Sequence, residues 1–466
     1  MNIVKSKRSI RIFTLTMINI AATCSIQNWP LTAEYGFSSL FFSLLSALVF
    51  FIPVSLVSAE LATGWPERGG VFTWVKEAMG HRMGFLAVWL QWAENVIWYP
   101  TILSFIGAAI AYSFNPALAN NNVYMGIVII AAFWGATLMN LCGMKISGLI
   151  SSVGVIVGTI IPGALIICLG LIWLFGSQPL QIELSWDALL PDLSSPYQLS
   201  LLVGVLTGFT GMEMSAVHAR DVINPQKNYP RAIFLSALIV LFLFVLGTLS
   251  IAFVIPQKEI SLVGGALEAL SHFMRRYGLG SSVPILAILV AFGALGSMST
   301  WAAGPIKGLL AAAQSGEFPP ILHRVNKNDM PVAMMIMQGV IVSLLSLVFV
   351  LMRDVNISFW ILLVLMSQLY LIMYVLMFVA AIILRYKRAN VQRAYTIPGG
   401  RLGMWFVAGV GALGSLAALI ISFFPPRQIN TGNVLFYELF LLIGIVTVCT
   451  IPFVILLFKK PSWDKP

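Results

Sequence analysis

The sequence predicts an all-α polytopic membrane protein of twelve transmembrane helices. The first and sixth are broken, and helices 1–5 and 6–10 form an inverted repeat. Three observations predict this. Hydrophobic residues fill 59% of the 466 positions and charged residues only 9%, against about a quarter charged in soluble domains. Apolar stretches long enough to cross a ~30 Å hydrocarbon core recur to the end of the chain. Two of them are interrupted by polar, helix-poor residues about half a chain apart, and such irregular backbone is tolerated at membrane depth only where it is buried in protein or lines a cavity.

The first span, 12–34, follows a basic stretch as a signal peptide would. It is long, lacks a small-residue cleavage signature and is followed at once by another span, so it is expected to be retained. Its break is Ala21–Pro30, AATCSIQNWP. The second span covers 38–61 and is followed by a short amphipathic helix opened by Gly69-Gly70. Spans three to five fall at 83–113, 123–142 and 149–175. A loop carrying Glu183, Asp187 and Asp192 then connects to span six, 199–219, broken at Thr207–Glu213. Span seven, 232–255, precedes a second amphipathic helix, opened by Gly264-Gly265. The remaining spans are 284–312, 332–352, 357–385, 403–424 and 434–457, with a tail expected to be too short for a further domain.

Charge sets the orientation. With both termini in the cytoplasm, 22 of the 27 Lys and Arg residues lie on inner segments, leaving Lys258, Arg275, Arg276, Arg353 and Arg427 outside. The net charge of +10 is therefore a topology signal of the positive-inside kind rather than a nucleic-acid footprint. The two Gly-Gly helices then fall on opposite sides of the membrane, as an inverted repeat requires. The expected organisation is 1–195 for the first five helices, 196–390 for their inverted copy, and 391–466 for helices 11, 12 and the tail. Cys24, Cys142, Cys168 and Cys449 all lie within spans without a CxxC pair, so neither a disulfide framework nor a metal site is expected, and no cofactor is implied.

The breaks carry the chemistry. In the first, Thr23, Cys24, Ser25, Gln27 and Asn28 interrupt the helix, and Pro30 cannot donate the hydrogen bond that would continue it; Cys24, Ser25, Ile26, Gln27 and Asn28 are the candidate substrate-binding residues of this break. The outer half is expected to restart near Asn28, its exposed N–H groups suiting a carboxylate. In the second, Gly208 and Gly211 flank Phe209 and Thr210, and the preceding half-helix should end in unpaired carbonyls suited to an ammonium group. Together the breaks describe a receptacle for a zwitterion.

Glu94 is the only formal charge in span three. An intramembrane carboxylate must be paired, protonated or wetted, so it is read as functional, binding an ammonium group, exchanging a proton, or facing a vestibule with Asn95. Glu213, just past the second break, and His218 are candidates for gating or proton coupling, since an unperturbed His titrates near pH 6.5. Lys307 belongs with them as a residue that admits an anion or snorkels to headgroups. Glu60, near an inner helix end, is expected to form a structural ion pair with a loop Arg or Lys, while Glu34 and Glu438 sit near the outer interface.

Several motifs resemble the bacterial glutamate/GABA antiporter family of the amino acid–polyamine–organocation (APC) superfamily. They are Gly36-Phe37, Phe51-Ile-Pro-Val54, Ala59-Glu60-Leu-Ala-Thr-Gly-Trp65, Gly69-Gly-Val-Phe-Thr-Trp-Val75, Gly211-Met-Glu-Met-Ser-Ala-Val-His218, Asn224-Pro-Gln-Lys-Asn-Tyr-Pro230 and Tyr395-Thr-Ile-Pro-Gly-Gly400. The resemblance runs from the first span to the last. It implies a LeuT-type fold and, by alternating access, exchange of an extracellular glutamate-like amino acid for an intracellular GABA-like amine, which in this family supports acid resistance in the bacterial inner membrane. Trp301 matches a tryptophan that closes over substrate, and Tyr370 and Tyr374 match residues of the same cavity. The chain departs from the family's best-known member at Gln27-Asn28-Trp29, at Ser297 and in the third span around Glu94. The implied partners are small amino acids and amines and the lipid bilayer.

Other functions compete. An exchanger of a neutral or cationic amino acid, or a transporter-like sensor, would share the fold. An integral-membrane enzyme is disfavoured by scattered His and Cys and by the lack of HExxH or GxSxG motifs, and ATP-driven transport by the lack of a GxxxxGK[ST] stretch.

Overall fold

An apolar segment in lipid can satisfy its own backbone by coiling into a helix, and the long apolar stretches of the described residues do so. The computed structural model describes residues 10–66, 69–141, 153–154, 156–176, 178–191, 196–214, 222–328, 330–352, 354–426 and 432–464. The helices that matter to the site are α1 (Ile12–Thr23), α2 (Trp29–Ala33), α3 (Gly36–Gly64), α4 (Val71–Met79), α5 (His81–Phe114), α6 (Asn122–Leu141) and α7 (Ile156–Phe175). They continue as α8 (Leu202–Thr207), α9 (Pro225–Val254), α10 (Gly265–Arg276), α11 (Val283–Ala312), α12 (Val332–Leu351), α13 (Val355–Lys387), α14 (Gly400–Ile421) and α15 (Val434–Leu457). Among the described residues ten helices are long and apolar enough to cross a membrane, so the protein is an all-α, multi-pass membrane protein. Their composition locates the core: 83% of the most apolar stretch of α13 is buried inside the protein, against 11% for α15. α5 and α13 are central posts, and α15 faces outward.

Most helix ends fall within a few residues of expectation. The exception is α9, which starts at Pro225 rather than 232. Asn224 adopts a left-handed conformation (φ 48°) and Pro225 occupies the first turn, where its missing N–H costs nothing. Pro53 has the opposite effect in α3, where its missing donor follows a widened π turn at Ala47–Phe51. The inner half of span six expected at 215–219, with His218, lies outside the described residues.

The two Gly-Gly helices sit at opposite ends of α13, which at 33 residues is about 50 Å long. At its C-terminal end Lys387 donates to the carbonyl of Ala78 in α4 (3.2 Å) and Arg388 pairs with Glu77 (3.2 Å). At its N-terminal end the Asn356 side chain accepts from the N–H of Leu262 (3.0 Å), just before α10. Near the α4 end, Glu60 at the end of α3 is held by Arg385 (2.9 Å), Arg393 (3.2 Å) and the N–H of Ile397 (2.8 Å). Glu317, past α11, meets His81 (3.3 Å) and Lys459 (3.9 Å). Glu34, expected at the interface, is instead mostly buried, 9% exposed.

α1 runs along α9, joined by Asn19 donating to Ser236 (3.1 Å), and their starts are tied by a single parallel bridge between Ile10 and Val222. α7 and α11 approach until backbone meets backbone. Gly158 lies against Gly293, and a methyl group on Gly154 would stand 3.0 Å from the Phe292 carbonyl and 3.4 Å from Gly296. Small residues permit such crossings in membranes.

Candidate substrate cavity

The first break forms because nothing after Thr23 continues the helix. Cys24 donates to Ile20 (2.7 Å) and turns extended (φ −81°, ψ 112°), as does Ser25 (φ −133°, ψ 122°). A single 3-10 turn, Ile26–Asn28, leads into α2, with Pro30 in the first turn. The N–H groups of Ser25, Ile26 and Gln27 make no hydrogen bond to the described backbone. They point to the orphan donors expected where a helix restarts.

The second break follows α8. Gly208 and Phe209 form a turn, and Gly211 takes φ +110°, which L side chains rarely adopt. A Cβ there would also stand 2.9 Å from the Ala22 carbonyl and 3.2 Å from the Trp301 ring. Glycine thus lets the two breaks touch. The expected unpaired carbonyls are largely used within the chain: Leu206 accepts from the Phe209 N–H (2.9 Å), and Thr207 accepts from both the N–H (3.2 Å) and the hydroxyl (2.8 Å) of Thr210. Local turn formation thus uses the carbonyls of Leu206 and Thr207.

Between the breaks lies a cavity of about 50 Å³. Thr23, Cys24, Ser25, Gln27 and Asn28 line it from the first break, and Thr207 and Thr210 from the second. α5 adds Glu94, Asn95, Trp98 and Ile102, α11 adds Ser297 and Trp301, and α13 adds Met366 and Tyr370. Among the described residues, Glu94 is the one ionisable carboxylate of the wall, and no Lys, Arg or His lines it. The Asn95 amide donates to Glu94 at 3.4 Å. The Trp98 and Trp301 rings stand 5.8 Å apart, and the Tyr99 hydroxyl donates to the Trp301 carbonyl (3.3 Å).

Of the residues singled out in the sequence, the cavity gathers Cys24, Ser25, Gln27, Asn28, Thr210, Trp301, Tyr370, Glu94 and Asn95. Others lie beside it. Tyr370 and Tyr374 both donate to the Glu213 carboxylate, the latter at 2.7 Å, and the Gly211 N–H donates to Tyr374 (3.1 Å). This buried cluster forms a layer under the second break. Phe209 packs between Phe51 and Phe244, with centroids 4.9 and 4.6 Å away, and Ile26 lies against Gly163 of α7, so neither side chain reaches the cavity. Lys307, half-buried on α11, is not part of the wall either. Thr23, a polar residue of the first break, also lines the cavity, while the sequence did not point to Trp98, Ile102, Thr207 and Met366 as wall residues. For α5 a signal existed, because positions 94, 98 and 102 repeat every fourth residue and share one helical face.

The helices and cavity describe a membrane carrier, and comparison with known proteins gives its kind. A family model for amino acid permeases matches residues 9–448, and the chain belongs to this family of the APC superfamily, whose members are secondary transporters rather than enzymes. Within it the chain is closely related to bacterial glutamate/GABA-type antiporters. An uncharacterized transporter of Legionella pneumophila is 44% identical over 457 residues, covering 98% of this chain and 97% of the relative. Glutamate/gamma-aminobutyrate antiporters of Lactococcus lactis, subspecies lactis and cremoris, are each 34% identical over 458 residues, covering 97% of this chain and 90% of theirs.

Proposed function

We propose that the protein is an antiporter exchanging an extracellular glutamate-like amino acid for an intracellular GABA-like amine by alternating access, in a bacterial inner membrane with both termini cytoplasmic. The carrying observation is that both chain breaks line one cavity. Counting α1 with α2, and α8 with the segment after it, as spans one and six beside the ten continuous helices gives twelve. On this reading the fold is LeuT-type, with repeats at 1–195 and 196–390 followed by 391–466. The placement of α4 and α10 at opposite ends of α13 supports the inversion.

The substrate carboxylate takes the N–H groups of Ser25, Ile26 and Gln27, whose orphan donors favour an anion. Trp301 closes over the substrate. Tyr370 and Tyr374, fixed by Glu213, seal the inward path, and Lys307 on α11 serves its gating. The names of the Lactococcus relatives favour the glutamate/GABA pair. One observation favours a second reading, exchange of a neutral or cationic amino acid: the lone charge of the wall is the negative Glu94, which opposes an acidic side chain. Counter-flow in proteoliposomes loaded in turn with GABA, glutamate, glutamine, arginine and agmatine decides between them. Uptake driven by GABA or glutamate is expected. Exchange confined to the other three would replace the pair, and no exchange with any would remove the transport reading.

A further inference from the structure

The cavity wall is short of donors in one place. Gln27 Oε1 and Asn95 Oδ1 are buried and have no hydrogen-bond partner among the described residues. In the same wall, and among the described residues, the Glu94 carboxylate accepts only the 3.4 Å bond from Asn95 and forms no ion pair. Gln27, Glu94 and Asn95 are 3%, 2% and 1% exposed, so bulk water does not serve these oxygens. Apart from Glu34, which lies off the cavity wall, the other buried carboxylates among the described residues have partners. Glu60 has two arginines, Glu213 two tyrosines, and Glu317 a histidine and a lysine.

Buried acceptors without donors are costly, and a buried unpaired carboxylate most of all. A proton on Glu94 would relieve that one group and leave the two amide oxygens as they are. A protonated amine brings three N–H donors and a positive charge at once. The indoles of Trp98 and Trp301 add π faces beside the same wall, which attract a cation further. At the second break, the other place for an ammonium, the carbonyls of Leu206 and Thr207 already accept bonds within the chain.

We infer that Gln27, Glu94 and Asn95 form an ammonium subsite on the α5 side of the cavity, which selects organic amines that are protonated at neutral pH. This rests on the proposed transport cavity and specifies which end of the substrate lies where.

The test is ligand binding, read apart from transport. Thermal unfolding of the full-length protein in detergent is followed near neutral pH with millimolar n-butylamine, or with butyrate, which keeps the chain length and lacks the amine. Butylamine is expected to raise the melting temperature and butyrate to leave it unchanged. In Glu94→Gln, which keeps the shape and removes a buried charge, butylamine affinity should fall roughly tenfold or more, the scale of a charge-assisted hydrogen bond. Asn95→Ala should weaken it by less. A wild-type protein indifferent to butylamine, as a proton-only role for Glu94 would give, overturns the subsite. So does a Glu94→Gln protein that binds within about twofold of wild type. Amine binding that depends on Glu94 in a protein that exchanges nothing would sink the transport reading and keep the subsite; exchange of amino acids by a protein indifferent to amines would do the reverse.

Discussion

At the scale of single residues, function concentrates where ordinary helix chemistry fails. Gly211 combines a positive φ with contact to both Ala22 and Trp301, so the residue that breaks one helix also brings the other break within reach. Trp301 sits at that meeting, its ring against Trp98 and its carbonyl held by Tyr99. Trp301→Ala should lower uptake roughly tenfold with expression unchanged, about the loss expected of a desolvated cation–π and packing contact; normal kinetics would remove Trp301 from the site. The polar break residues and Glu94 were legible because polar groups are rare inside a bilayer. Trp98 and Met366 were not, since in an apolar chain nothing distinguishes a wall residue from a packing one. Phe209 shows the converse error: adjacency to a break in sequence puts it near the site, yet its ring turns away into Phe51 and Phe244.

At the scale of elements, the breaks were legible because Pro30, Gly208 and Gly211 act locally. The fate of the second break's carbonyls was not, because it depends on Thr210 folding back on Thr207. The register of α3 is fixed at its far end by Glu60, which ties it to α13 and to the loop before α14 through Arg385 and Arg393. Burial pulls the Arg393 guanidinium below its ordinary value, and the Glu60 charge opposes that pull. Glu60→Gln leaves two buried cations facing each other. It is expected to destabilise the protein by about 3 kcal/mol, the lower range for breaking a buried ion pair, and to lower the melting temperature in detergent. An unchanged melting temperature would make the cluster dispensable.

At the scale of the molecule, hydropathy made the class legible, an all-α protein of many apolar helices, since that follows from the solvent. The pairing of helices was not, because apolar faces in lipid look alike and packing is decided by small-residue contacts such as Gly158 with Gly293. The proposed orientation rests on the basic loops and is open to direct measurement. In a background without native cysteines, Asn390→Cys, beyond the end of α13, should react with an impermeant thiol reagent only from the cytoplasmic side. Tyr277→Cys, at the end of α10, should react only from outside. Labelling of both from one side would overturn the inverted arrangement.

The crossing of α7 and α11 has a mechanical meaning as well. Where leucines interdigitate, one helix can turn against another only if side chains change rotamer together, and each such change has an energetic cost. Gly154 and Gly158 present no side chain to Gly293 and Gly296, so that crossing has no rotamers to unlock. α11, which carries Trp301, therefore meets this stretch of chain across bare backbone, a contact whose glycines have no side chain to repack if the two turn against each other.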